Sequence, residues 1–147
     1  MVGLMFLVDT NVFLEVLLEQ ANSKVAEEFL KKTPPELVHV SDFTLYSIGI
    51  IMTRAGKEEA FPGFVEDIIM NGGFTILRLP PLEFRGLVDA MKRFNLDFDD
   101  AYQYRLAELY NLRIVSFDAD FDGTELGRIT PEQAIKTVNT FGEPKGG

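Results

Sequence analysis

The feature that most constrains this chain is a short, uninterrupted apolar run, "LMFLV" at 4–8, that stops at Asp9 and gives way to the helically spaced "VFLEVLLEQ". A run too short for a helix core and apolar on both faces is the pattern of a buried parallel strand. A strand passing directly into a helix is the start of a βαβ unit. The same event recurs. "ELVHV", "FTILRL" and "RIVSF" are further short apolar runs. Between them lie the amphipathic "SKVAEEFLKK", then "DFTLYSIGIIMTRAG" behind a capping Ser41, and "PPLEFRGLVDAMKRFNL", whose prolines suit a helix entrance. "KEEAFPGFVEDIIMNGG" reads as helical but interrupted at Pro62 and Gly63. "DFDDAYQYRLAELYNL" is a helix with acids crowded into its first turn, and "RITPEQAIKTV" carries Thr130 as cap, Pro131 as first helical residue and Gln133 three past the cap. This alternation predicts an α/β fold, a three-layer α/β/α sandwich around a central, mainly parallel sheet.

A length of 147 residues, with no composition break or internal repeat, predicts a single domain over residues 1–141 followed by a flexible tail at 142–147. The opening "MVGLMFLV" is too short to span a bilayer, lacks a basic flank and is followed by no small-residue cleavage pattern, so a cytoplasmic protein is expected, with no membrane partner. The absence of cysteine excludes disulfides, thiolate metal sites and a thiol nucleophile. A formal net charge of -9 disfavours a nonspecific electrostatic grip on nucleic acid. No phosphate-binding glycine loop is present, and His39, the one histidine, sits inside an apolar strand and reads as a core or edge residue.

In open parallel sheets binding sites form beyond the carboxyl ends of the strands. Asp9 and Asp118 each follow such an end, and "LDFDDAYQ" supplies Asp97, Asp99 and Asp100 at a helix start. With Asp97 as N-cap, Asp100 lies on the same side one turn in. Each acid alone has a plain structural reading as a helix cap, a dipole partner or a polar turn. Together they repel one another unless a cation neutralises them, and an all-oxygen cluster suits Mg2+ or Mn2+.

"FLVDTNVFLE", "LDFDDAYQYRLAELYNLRIVSFDADF" and "RITPEQAI" resemble a PIN domain, the fold of the VapC toxin ribonucleases and related archaeal proteins, over nearly the whole chain. The resemblance implies an α/β/α sandwich and divalent-metal-dependent hydrolysis of RNA phosphodiesters. It implies Asp9, Asp100 and Asp118 as catalytic acids and metal ligands, with Asp120 as an additional ligand, and Asn11, Ser47 and Ser116 as polar residues at the substrate or behind the ligands. The implied partners are an RNA substrate, an antitoxin protein and a second copy of the chain in a homodimer.

One position departs from the family. Where a glutamate is usual on the helix after the second strand, this chain has Ser47, and Asp42, five residues earlier, points about 140° away around a helix of ~100° per residue. The sequence therefore also admits a PIN-like binding or assembly module without cleavage. A phosphatase using Asp9 as nucleophile is the remaining alternative, but "DTN" has Asn11 where a haloacid-dehalogenase-like motif has aspartate. Arg54, Lys57, Arg78, Arg85, Lys92, Arg93 and Arg105 are the basic residues available for backbone contact, and Tyr104 reads as packing rather than base stacking.

Overall fold

The computed structural model describes residues 4–142, and its four strands form one parallel sheet in the order β3-β2-β1-β4. β1 (Phe6–Val8) leads into α1 (Thr10–Leu17) and α2 (Ser23–Lys32), and β2 (Val38–Ser41) into α3 (Asp42–Arg54) and α4 (Phe61–Val65). β3 (Thr75–Leu77) leads into α5 (Phe84–Phe94) and α6 (Phe98–Tyr110), and β4 (Arg113–Val115) into a single turn and α7 (Pro131–Gly142). Of the tail expected from residue 142, Gly142 belongs to α7 and residues 143–147 lie outside the described residues.

The uninterrupted apolar character of β1 follows from its place between two helical layers. Side chains alternate along a strand, so Phe6 and Val8 pack on one face with Val12, Phe13, Phe29, Ile48, Met52 and Val138. Leu7 packs on the other with Leu87, Ala101, Tyr104 and Leu106 of α5 and α6. All three strand residues are fully buried, each stabilising the fold by roughly 1.5–3 kcal/mol. The result is the expected α/β/α sandwich.

Pro62 does not interrupt a helix. It occupies the first turn of α4, where its missing N–H leaves no hydrogen bond unmade. The chain then continues through Glu66–Met70 as a wider helical turn, closed by Asn71 N–H donating to the Glu66 carbonyl at 2.8 Å. Phe61, Phe64, Ile68 and Ile69 of this segment pack against the first cluster. Met70, at the end of this segment, is strongly exposed.

Two connections place the functional end of the sheet. Val8 pairs with Val115, and Asp9 N–H donates to the Val115 carbonyl at 2.9 Å, so Asp9 emerges beside the end of β4. Beyond α5, Asn95 adopts a left-handed conformation (φ 54°), one that asparagine tolerates. The tight reversal leaves Asp97 to cap α6.

Candidate active site

Asp9 is the N-cap of α1 and 6% exposed, and both of its carboxylate oxygens are occupied. Oδ1 accepts from Thr10 N–H at 2.9 Å and Gln103 Nε2 at 3.0 Å. Oδ2 accepts from Ser116 Oγ at 2.7 Å and Asn11 Nδ2 at 3.3 Å. Burial pushes the Asp9 carboxyl above its ordinary range, the donors from Gln103, Ser116 and Thr10 oppose that shift, and the Asp118 charge adds to it.

Asn11 and Ser116 bind this carboxylate to the neighbouring strand end. Asn11 Nδ2 also donates to Ser116 Oγ at 3.1 Å, and its Oδ1 accepts from Phe117 N–H at 3.2 Å. Ser116 Oγ in turn accepts from Asp118 N–H at 2.9 Å. Ser116 is itself held because its N–H donates to the Ile129 carbonyl at 3.0 Å, where Ile129 forms a parallel bridge with Val115 of β4. The "DTN" and "SFD" stretches are thus one interlocked unit.

Asp97 caps α6 by accepting from Asp100 N–H at 3.0 Å, which leaves the Asp100 side chain facing the sheet end. Carboxylate oxygens of Asp100, Asp118 and Asp120 lie within 4.8 Å of one another. Among the described residues nothing donates a hydrogen bond to the Asp100 carboxylate, while Asp118 Oδ1 accepts only Asp120 N–H, at 2.8 Å. Burial foremost, together with the charges of Asp118, Asp97, Asp9 and Asp120, raises the Asp100 pKa to about 8. Mutual repulsion among carboxylates set this close favours either a proton or a bound cation among them.

Asp9, Asn11, Ser47, Asp99, Asp100, Gln103 and Asp118 line one cleft of about 450 Å³ with Phe43, Ile50 and Arg54. Asp9 stands in this cleft but outside the three-carboxylate cluster, and Ser116 is buried behind it. Ser47 is in the wall at the place expected, half-buried and without a charge to contribute. Of the basic residues considered from the sequence, Arg54 reaches this cleft, whereas Arg105 is committed to ion pairs with Glu83 and Glu108.

Other candidates fall away from the site. Asp42 does more than complement a helix dipole, since Tyr102 Oη donates to it at 2.7 Å. Tyr104 is 1% exposed and packs on Phe94 at 5.1 Å. His39 is buried with Nδ1 3.2 Å from the Phe6 carbonyl oxygen, as a core histidine should be.

Sequence reasoning missed Gln103, which is 2% exposed and donates through Nε2 to Asp9 and, at 2.8 Å, to Thr44 Oγ1. Its one available signal is its spacing of three from Asp100, which puts both on one helix face. The Gln103 carbonyl oxygen is buried with no hydrogen-bond partner. A crowded set of oxygen donors, with a residue carrying an unpaired carbonyl in the same cleft, suits a hard divalent cation.

The sequence matches the family model described as PIN domain over residues 6–125. No curated protein matches the chain. Solved structures do. The crystal structure of the Mycobacterium tuberculosis VapC20, described as a Sarcin-Ricin loop cleaving toxin, aligns with a TM-score of 0.73 at 17% identity, covering 86% of this chain and 99% of that one. PAE2754 from Pyrobaculum aerophilum aligns at TM-score 0.69 and 19% identity, covering 94% and 91%. A chain of a toxin-antitoxin complex from Klebsiella pneumoniae aligns at 0.68 and 18%, covering 85% and 96%.

Proposed function

The chain belongs to the PIN domain family, and on that premise we propose that it is a divalent-metal-dependent ribonuclease, the toxin half of a toxin-antitoxin pair, working with Mg2+ or Mn2+. The observation that carries the reading is the close-set cluster of Asp100, Asp118 and Asp120, of which Asp100 and Asp118 share one cleft with the four-fold hydrogen-bonded Asp9. Asp100, Asp118 and Asp120 would hold the ion, with Asp9 behind them; when bound, it supplies Lewis-acid chemistry, activating water and neutralising charge at a phosphodiester. Asn11, Ser116, Thr10 and Gln103 keep Asp9 in one rotamer by filling its acceptor sites. Arg54, on the cleft wall, meets a backbone phosphate that the acids alone would repel. Neither the buried His39 nor any cysteine serves for general acid-base or thiol chemistry. The proposed nucleophile is water activated at the metal, rather than the substrate's own 2′-hydroxyl.

That last point gives the test. Incubated with labelled single-stranded RNA and Mn2+, the protein yields products without 2′,3′-cyclic phosphate ends, and EDTA abolishes the reaction. Cyclic-phosphate ends, or cleavage that survives EDTA, would refute the mechanism. The toxin-antitoxin assignment takes its support from two structural neighbours, one described as a toxin and one as a toxin-antitoxin complex. An antitoxin with a basic segment suits the acidic cleft, and a homodimer is the expected assembly in the absence of that partner. The cytoplasm is the proposed compartment; among the described residues no helix is long and apolar enough to cross a membrane. Ser47 favours one second reading, a binding module without cleavage, to which absence of metal-dependent cleavage over a panel of RNAs would point.

A further inference from the structure

The missing acid at Ser47 raises the question of what completes the ion's ligand set. Gln103 follows Asp100 by one turn of α6 and lines the same cleft as Asp9, Asp100 and Asp118. Its amide is oriented from one end alone. Nε2 donates to Asp9 Oδ1 at 3.0 Å and to Thr44 Oγ1 at 2.8 Å. Thr44 Oγ1 also accepts from Ser41 Oγ at 3.1 Å and lies 2.9 Å from Thr10 Oγ1, within hydrogen-bonding distance. With both protons of Nε2 used by acceptors, the amide cannot flip without setting its carbonyl against the Asp9 carboxylate. The carbonyl end is thereby fixed, yet it has no partner and almost no contact with solvent. Leaving a buried acceptor unsatisfied costs about 1–3 kcal/mol, and such a group calls for an explanation.

We infer that the Gln103 carbonyl oxygen is a neutral ligand of the divalent cation, in a chain that carries no carboxylate at Ser47. The inference rests on the proposed reading of the cleft as a cation site and adds one donor to it. A hard cation accepts amide carbonyl oxygens alongside carboxylates. Gln103 then works at both ends of its amide: the N–H protons orient Asp9, and the oxygen reaches the ion. Substitution of a neutral oxygen for a carboxylate lowers the charge of the donor set by one, so the ion is held more weakly but more of its positive charge remains for a phosphate.

Two measurements on the full chain, with no RNA present, test this. The first is pulsed electron-nuclear double resonance of bound Mn2+ in protein labelled with 13C at the glutamine side-chain carbonyl. A 13C coupling of directly coordinated size is expected, and it vanishes in Gln103→Met. The label also enters Gln20, exposed in the loop after α1, and Gln133, an exposed residue of α7; neither lines the cleft, so neither gives a coupling of that size. The second is Mn2+ titration calorimetry, in which Gln103→Met weakens binding about ten-fold while melting in EDTA remains cooperative. Mn2+ bound by the wild type without any 13C coupling from Gln103 overturns the inference and leaves the nuclease reading standing. Failure of the wild type to bind Mn2+ overturns both. If Gln103→Met does not fold, the coupling in the wild type decides.

Discussion

Replacing Asp100 by asparagine removes one charge from three closely set carboxylates, so metal-free protein should become more stable. The folded-state pKa of Asp100 is raised from 3.8 to about 8. A raised carboxyl pKa means the native state binds more protons than the unfolded chain across that interval. Stability is therefore fully present below about pH 4 and falls as pH rises toward 8. At pH 7 the shift corresponds to a ceiling of about 4 kcal/mol. The side chain lines an open cleft, and solvent screening there reduces this to about 1–2 kcal/mol. In EDTA at pH 7, Asp100→Asn should thus melt about 3–6 °C above the wild type, with no difference near pH 4. Saturating Mn2+ reverses the order, because at a hundred times Kd the wild type gains about 2.7 kcal/mol and the variant much less. Thermal melts at pH 4, 5.5, 7 and 8, with EDTA or Mn2+, read all of this. Parallel pH profiles for the two proteins in EDTA would refute the electrostatic reasoning.

Restoring a carboxylate with Ser47→Glu should tighten Mn2+ binding about ten-fold by calorimetry, since ligand charge count sets affinity; an unchanged Kd would mean that Ser47 is not directed at the ion. Arg54→Ala should weaken binding of RNA to a cleavage-dead Asp118→Asn background and lower the salt slope by about one contact, measured by anisotropy at several ionic strengths. Phe29→Ala removes a fully buried ring 5.8 Å from Phe6 and should cost about 3–5 kcal/mol, read as a lower urea midpoint with RNA cleavage intact below the transition.

Local chemistry made much of this fold legible. The four apolar runs became the four strands because strands buried between helical layers have no polar face to show. Asp97, Ser41 and Thr130 were readable as caps because capping is decided within a few residues. Thr130 and Gln133 do form the reciprocal pair, with Thr130 N–H donating to Gln133 Oε1 at 2.8 Å and Gln133 N–H to Thr130 Oγ1 at 3.2 Å. The convergence of Asp9, Asp100 and Asp118 followed from topology, since each begins where a strand ends or the adjoining helix starts.

Gln103 was illegible for the opposite reason. Its partners Asp9 and Thr44 are 94 and 59 residues away, and a glutamine on a helix is ordinarily a solvated residue. Pro62 misled because proline disrupts a helix interior but favours a first turn, and its position in a helix depends on where α3 ends. Arg54 could be named among seven basic residues but not singled out, because which side of α3 meets the cleft is settled by packing against β1 and α1.

The most direct test of the central claim is cleavage of labelled single-stranded RNA by the wild type and by Asp9→Asn, purified identically, with Mn2+ or with EDTA. The account predicts cleavage by the wild type in Mn2+ alone and none by the variant. Equal cleavage by both proteins, or cleavage by the wild type in EDTA, would contradict it.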